Sequence, residues 1–169
     1  MTRADDTKKL EHIYEKYRKQ MYFSAFDILK NKDDAEDALH EAFISILRSI
    51  DKIKEPDSPK TRAFVLIVAQ SRAIDILRKR RPALPLTALA SVPIQDIQAD
   101  VAEKNAVALA IASLPFDSRR ILLLRYDMGL SFVEIADITG KSLFAVYKAS
   151  RRAKQALSKA LAKEEVELS

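Results

Sequence analysis

The sequence predicts an all-α protein made of two small helical domains joined by a linker. Three observations carry this. The 169 residues include only 2 Gly and 6 Pro among abundant Ala, Leu, Ile, Lys and Arg, which suits helices and starves tight sheet turns. Apolar residues recur at helical spacing on both sides of residues 82–100. That segment, PALPLTALASVPIQDIQAD, has three prolines, few charges and no sustained periodicity. Its length is near the upper end for a structureless loop inside one domain, so it reads as a boundary. The expected division is a first domain over 1–82, a linker over 83–100 and a second domain over 101–169.

Each element has its own signal. Residues 8–30 place Leu10, Ile13, Tyr14, Tyr17, Met21, Phe26, Ile28 and Leu29 at mostly helical spacing. Asn31 to Asp33 interrupts that run, and Asp33 or Asp34 is the expected cap of a second helix to about Ser49. Its stripe of Ala35, Ala38, Leu39, Ala42, Phe43, Ile46 and Leu47 keeps one apolar face. DKIKEPDSP (51–59) is turn-rich. Ser58 suits an N-cap and Pro59 the first helical position of a third helix, 59–80. The middle of that helix, FVLIVA, is apolar all round and reads as buried. Pro82 stops it. After the linker come helices over about 101–113 and 115–128, a short one from Ser131 to Ile138, and a long one from Ser142 to about Lys163. EEVELS is expected to fray.

Bulk properties exclude several classes. There is no Cys and only two His, so neither a disulfide framework nor a metal or other cofactor is expected. His12 and His40 read as structural or exposed. No apolar run reaches the ~18–20 residues of a membrane span, and MTRADDTKKL lacks the apolar core of a signal peptide; a cytoplasmic protein without membrane insertion is expected. No Gly-rich phosphate loop, Ser-His-Asp order or HExxH occurs, so no catalytic residue and no enzyme is expected. The net charge is +5 and the pI near 9.4, but the distribution says more. Residues 60–81 carry Lys60, Arg62, Arg72, Arg78, Lys79, Arg80 and Arg81 against one acid, Asp75. Residues 141–163 carry Lys141, Lys148, Arg151, Arg152, Lys154, Lys159 and Lys163 against none. Two such patches on a helical protein suit a polyanion.

The second patch follows helix-turn-helix grammar. In DMGLSFVEIADITGKSLFAVYKASRRAKQAL a short helix ends in a Gly-containing turn and a longer basic helix follows. Ile135, Ala136 and Val146 are expected to face inward, and Glu134 to brace the pair or the backbone near DNA. Lys141, Ser142, Phe144, Ala145 and Lys148 lie where a recognition helix meets base edges, with Ser131 capping the helix before. Arg151, Arg152 and Lys154 more simply meet phosphate.

With both halves in view, the chain resembles the extracytoplasmic-function (ECF) group of the bacterial sigma-70 family. DAEDALHEAFISIL resembles the family's core-polymerase-binding helix, FVLIVAQSRAIDILRKRR its −10-reading helix, and IASLPFDSRRILLLRYDMGLSFVEIADITGKSLFAVYKASRRAKQAL its −35-reading domain. The likeness covers about 8–81 and 101–161. Departures are His40 where Gln is usual, Leu47 and Phe64 where Trp is frequent, Gln70-Ser71 for Arg-Asn, and Phe144-Ala145 for Gly-Thr.

The resemblance implies a sigma factor that binds core RNA polymerase and directs sequence-specific promoter recognition, DNA opening and transcription initiation. Asp34, Glu36, Asp37, His40, Glu41 and Phe43 would grip the clamp helices of the β′ subunit, and the second domain the β flap. Ile53 and Lys54, in a loop that would capture a flipped base, would contact −10 DNA together with Lys60, Arg62, Ser71, Arg72, Arg78, Lys79, Arg80 and Arg81. Promoter DNA and an anti-sigma protein are the further partners implied. The helix dipole accounts for acids in the first turn of 34–43 but not for Glu41, two turns in. The alternative is a sigma-like helix-turn-helix regulator that needs a second subunit or does not initiate by itself.

Overall fold

The computed structural model describes residues 2–82 and 106–168; the expected linker at 83–100 and the start of the following helix at 101–105 lie outside them. Every element among the described residues is helical. α1 is Arg3–Leu29. It begins a turn and more before its first apolar periodic residue, because Thr2 and Asp5 form a reciprocal capping box that periodicity does not reveal. It ends where Lys30 turns left-handed, with φ 54°.

α2 is Lys32–Arg48. Its cap is Asn31, not Asp33 or Asp34: the Asp34 N–H donates to the Asn31 side chain at 3.0 Å. The two aspartates instead occupy the first turn, where the dipole favours them. A 3-10 turn, Ile50–Lys52, leads into the connection to α3, Pro59–Arg80. There Ser58 accepts from the Thr61 N–H and Pro59 opens the helix, as expected. The run Ala63–Ala69 is buried throughout, so α3 is the central rod of the first half, in contact with both α1 and α2.

The second half comprises α4 (Ala106–Ala112), α5 (Phe116–Leu122) with a π-helical turn (Leu123–Asp127), α6 (Phe132–Thr139) and α7 (Leu143–Leu168). Ser131 caps α6 and forms a capping box with Glu134. Gly140, at φ 70°, makes the turn, and the Ala145 N–H donates to Ser142 at 3.1 Å to start α7. The α7 backbone continues through the tail expected to fray. Glu164, Glu165, Glu167 and Leu168 are good helix formers, and no Gly or Pro intervenes.

One apolar core joins the halves. Ile13, Tyr17, Met21, Ile46, Phe64 and Ile67 cluster with Phe116, Ile121, Leu124, Leu130, Ile135, Ile138 and Val146. The two helical domains are therefore packed against each other, chiefly through α3 and α6, as well as linked in sequence.

Gly140 lies at this seam. A Cβ there would sit 2.8 Å from Oδ1 of Asp75 on α3. Gly140→Ala should cost about 1 kcal/mol from the left-handed backbone, with a further small cost for moving the Asp75 carboxylate. Denaturant unfolding followed by circular dichroism measures it; an unchanged midpoint would mean that the turn relaxes freely.

Candidate polymerase- and DNA-binding surfaces

On α2, the helix period sorts the opening acids into two groups. Asp34 is buried and pairs with Arg80 of α3. It braces the first half and is not presented to a partner here. Glu36, Asp37, His40 and Glu41 are exposed. They continue into Ile44 and Leu47, which are 42% and 48% exposed. The result is a mixed acidic and apolar strip along one helix. Phe43 lies beside that strip but half-buried, its ring 5.0 Å from that of Tyr14. Ile44 lies off the predicted apolar stripe, and Leu47, expected within it, is turned out to solvent, since the core face of α2 ends at Ile46.

The connection from Ile50 to Pro59 is pinned to α1. Lys9 Nζ donates to the Ile53 carbonyl at 2.9 Å, and Tyr17 Oη to that of Pro56 at 2.7 Å. Asp57 meets both His12 and Lys16 at 2.7 Å. Hydrogen bonds from Lys16 and His12 hold the Asp57 carboxyl below its ordinary range. Ile53, expected at DNA, is fully buried. With Ile50 it anchors the loop in the core. Lys54 next to it is exposed.

The basic residues of α3 divide between the two halves. Arg62 donates to Gln20 at 3.0 Å, Lys79 meets Asp75 at 3.3 Å, and Arg81 is exposed. Arg72 donates to Ser45 through Nε and Nη2 at 3.0 and 2.6 Å, and Nη2 lies 3.7 Å from Asp137 of α6. Lys60 lies 3.8 Å from Asp127 of the π-helical turn. Arg48 and Lys52 face Asp137 and Glu134 at 3.0 and 4.0 Å. Acids of the second half thus sit against bases of the first. Glu134 closes its own cap and reaches back to Lys52, so it is turned toward the first half. Asp75, the one acid of this stretch, pairs with Lys79 one turn on. A polar cleft of about 280 Å³ marks the seam, lined by Glu41, Ile44, Arg48, Arg72, Asp75 and Asp137 among others.

Ser71 is inside this seam. It is fully buried, donates to the Ile67 carbonyl at 2.6 Å and accepts from Arg120 Nη1 at 3.0 Å. Arg120 is also fully buried, and its Nη2 donates to Asp117 at 2.7 Å. Asp117 in turn lies 3.4 Å from Lys141 at the start of the second basic stretch. Burial pushes the Arg120 guanidinium down to about 10, with Asp117 opposing, so it stays charged at neutral pH. Burial also lowers Lys141. For Asp117 burial opposes ionisation, but the charges of Arg120, Lys141 and Arg78 outweigh it and hold the carboxyl below its usual range. Sequence reading missed Arg120, because an Arg in a helix that starts Arg-rich gives no sign of which one faces inward.

The solvent side of α7 is different. Phe144, Lys148, Arg151, Arg152 and Lys154 are exposed, while Val146, Ser150 and Ala153 are buried on the opposite side. Lys141 and Ala145 are half-buried, and Ser142 and Ser131 are used as caps. Ile135 and Val146 face inward, with Ala136 packed beside them, as expected. From Leu143 to Lys163 the long helix thus offers one basic face with no acid in its sequence.

A helix-turn-helix with such a face, preceded by a three-helix unit with an acidic strip, has known counterparts. The family profile of Sigma-70 region 2 matches residues 13–83 and that of Sigma-70 region 4 matches 104–157. Among curated proteins the chain is 27% identical over 150 residues to RNA polymerase sigma factor SigV of Bacillus subtilis (strain 168), covering 89% of each chain. It is 26% identical to ECF RNA polymerase sigma factor SigW of the same strain, covering 88% of this chain and 87% of that one. Among solved structures it is similar to RpoE in complex with the anti-sigma factor NepR from Bartonella quintana, at TM-score 0.40 and 18% identity over 90% of this chain and 96% of that one. It is similar also to CnrH in complex with the cytosolic domain of CnrY, at TM-score 0.38 and 20% identity over 91% and 88%. The chain belongs to the sigma-70 family. Within it, this is a sigma factor of the ECF group. No described helix is long and apolar enough to cross a membrane.

The lowered Asp117 gives the seam a pH signature. A carboxyl whose folded pKa lies below 3.8 contributes fully above that value and loses its contribution as pH falls through the folded pKa. The stability difference between the wild type and Asp117→Asn should therefore stay level from neutral pH down and shrink only below 3.8. Urea unfolding across that range tests this; a difference that shrinks already near pH 6 would contradict the assignment.

Proposed function

We propose that this sigma factor binds core RNA polymerase, reads −10 and −35 promoter elements and supports DNA opening and initiation. The carrying observation is the acid-free basic face of α7 on a helix-turn-helix. Region 2 then docks through the exposed strip of Glu36, Asp37, His40, Glu41, Ile44 and Leu47 on the β′ clamp helices, and region 4 on the β flap. Exposed acids beside apolar side chains suit a partner helix pair bearing arginine, since complementary charge guides encounter and apolar burial supplies affinity. The basic groups of α3 hold −10 DNA, and α6–α7 enters the major groove at −35. An anti-sigma protein that silences the chain has to cover these same faces.

A second reading is that the chain needs another subunit or does not initiate by itself. The burial of Ser71 and the engagement of Arg72 by Asp137 favour it, because DNA reaches these two residues only if the halves separate. The two readings meet if binding to core polymerase opens the seam. The polymerase would then supply interactions that offset the lost packing and ion pairs.

Transcription with core polymerase and genomic promoter fragments, with starts mapped, tests the main reading. Starts that depend on the chain and share −10 and −35 elements are expected; stable binding to core without any start would favour the second. The chain has no Cys, and the position of a Cβ at 140 against Asp75 is close enough for a designed disulfide. Oxidised Asp75→Cys/Gly140→Cys should lose initiation and regain it on reduction. Full activity of the cross-linked form would show that α3 need not be uncovered. Within α2, Glu41→Lys should weaken core binding by about tenfold, or 1.4 kcal/mol. Asp34→Asn should mainly lower the melting temperature. Equal loss of core binding in both variants would remove the distinction between braced and presented acids.

A further inference from the structure

Phe144 is 71% exposed in the first turn of α7, although no part of the buried core needs it there. It belongs to the face formed by Lys148, Arg151 and Arg152, opposite Val146, Ser150 and Ala153. Lys148 Nζ lies over its ring, 5.5 Å from the centroid. The ring thus stands open to solvent at the head of a cationic strip. Its neighbours are charged for a polyanion, and its position on the second helix is where a helix-turn-helix meets base edges. The major groove contains one apolar group, the C5-methyl of thymine, and Phe is among the side chains that contact it.

We propose that Phe144 reads a thymine methyl in the −35 element, and that Lys148 beside it donates to a guanine within about two base pairs. The spacing follows from the helix. Residues i and i+4 are offset by about 6 Å along its axis, and stacked bases by about 3.4 Å. The cation over the ring brings the two contacts closer still, so they act as one composite reader. Tyr147 is not part of it, since its ring packs on Phe132 at 4.6 Å between centroids. This inference rests on the proposed promoter-reading function and specifies the chemistry of that site.

The test begins with selection of duplex sites from a random pool by the full chain assembled with core polymerase. Each thymine of the enriched −35 sequence is then replaced by deoxyuridine, which removes only the methyl. One thymine, within two base pairs of a guanine, should show about a fourfold loss of affinity, the worth of roughly one buried methyl. Phe144→Ala should bind the thymine and deoxyuridine sites equally, with an unchanged melting temperature. Lys148→Ala should instead relax the choice at the guanine. Indifference of the wild type to every replacement, or retained sensitivity in Phe144→Ala, would overturn the inference while leaving promoter recognition intact. Phe144→Ala that weakens capture by core polymerase but not DNA choice would also overturn it, in favour of a protein contact. Failure to enrich any common sequence would defeat the promoter-reading function itself, and this inference with it.

Discussion

The arrangement depends on one buried cation. Arg120 brings a full guanidinium into the seam, where water cannot solvate it, and binds Ser71 on one side and Asp117 on the other. An ion in that position is costly unless its partners are fixed. Asp117 is fixed by Lys141, which ties the turn between α6 and α7 to α5. Ser71 is fixed by its bond to the Ile67 carbonyl. Buried ion pairs add little net stability against an apolar substitute. Their contribution here is register: the bond from Arg120 to Ser71 fixes where α5 sits on α3.

Around that pair, the seam is electrostatically complementary. Asp127, Glu134 and Asp137 of the second half sit against Lys60, Lys52, Arg48 and Arg72 of the first. Those contacts are mostly half-exposed, so each is worth little alone and weakens with salt. Together with the shared core they hold the halves closed. Acidic groups occupy part of the basic surface that a nucleic acid would otherwise neutralise, while the basic face of α7 stays open. The two basic patches are therefore not equivalent: Lys60 and Arg72 of the first are engaged by acids of the second half, while the basic face of α7 points to solvent.

The acidic stretch 34–43 illustrates how one helix can serve two ends. Its period turns Asp34 inward to Arg80 and leaves Glu36, Asp37 and Glu41 outward. The dipole accounts for acids in the first turn, and Glu41 needs another reason. That reason lies in its neighbours Ile44 and Leu47, apolar side chains held in water beside it.

The helices, most of their caps and the helix-turn-helix are legible from local rules alone: periodicity, Ser58 and Ser131 as caps, Pro59 as a starter and Gly140 as a turn. The sequence also marked α3 as buried and α7 as basic, since those properties are compositional. Where local signals competed, it misplaced them; the Asn31 cap lost to two nearby aspartates, and the Thr2–Asp5 box was hidden in a polar run. Which loop and polar side chains face inward depends instead on contacts between distant elements. Ile53 anchors a loop, Ser71 and Arg120 meet across the seam, and Asp75 faces Gly140. These pairings join residues far apart in sequence, and their free energy comes from desolvation and geometry that no local pattern encodes.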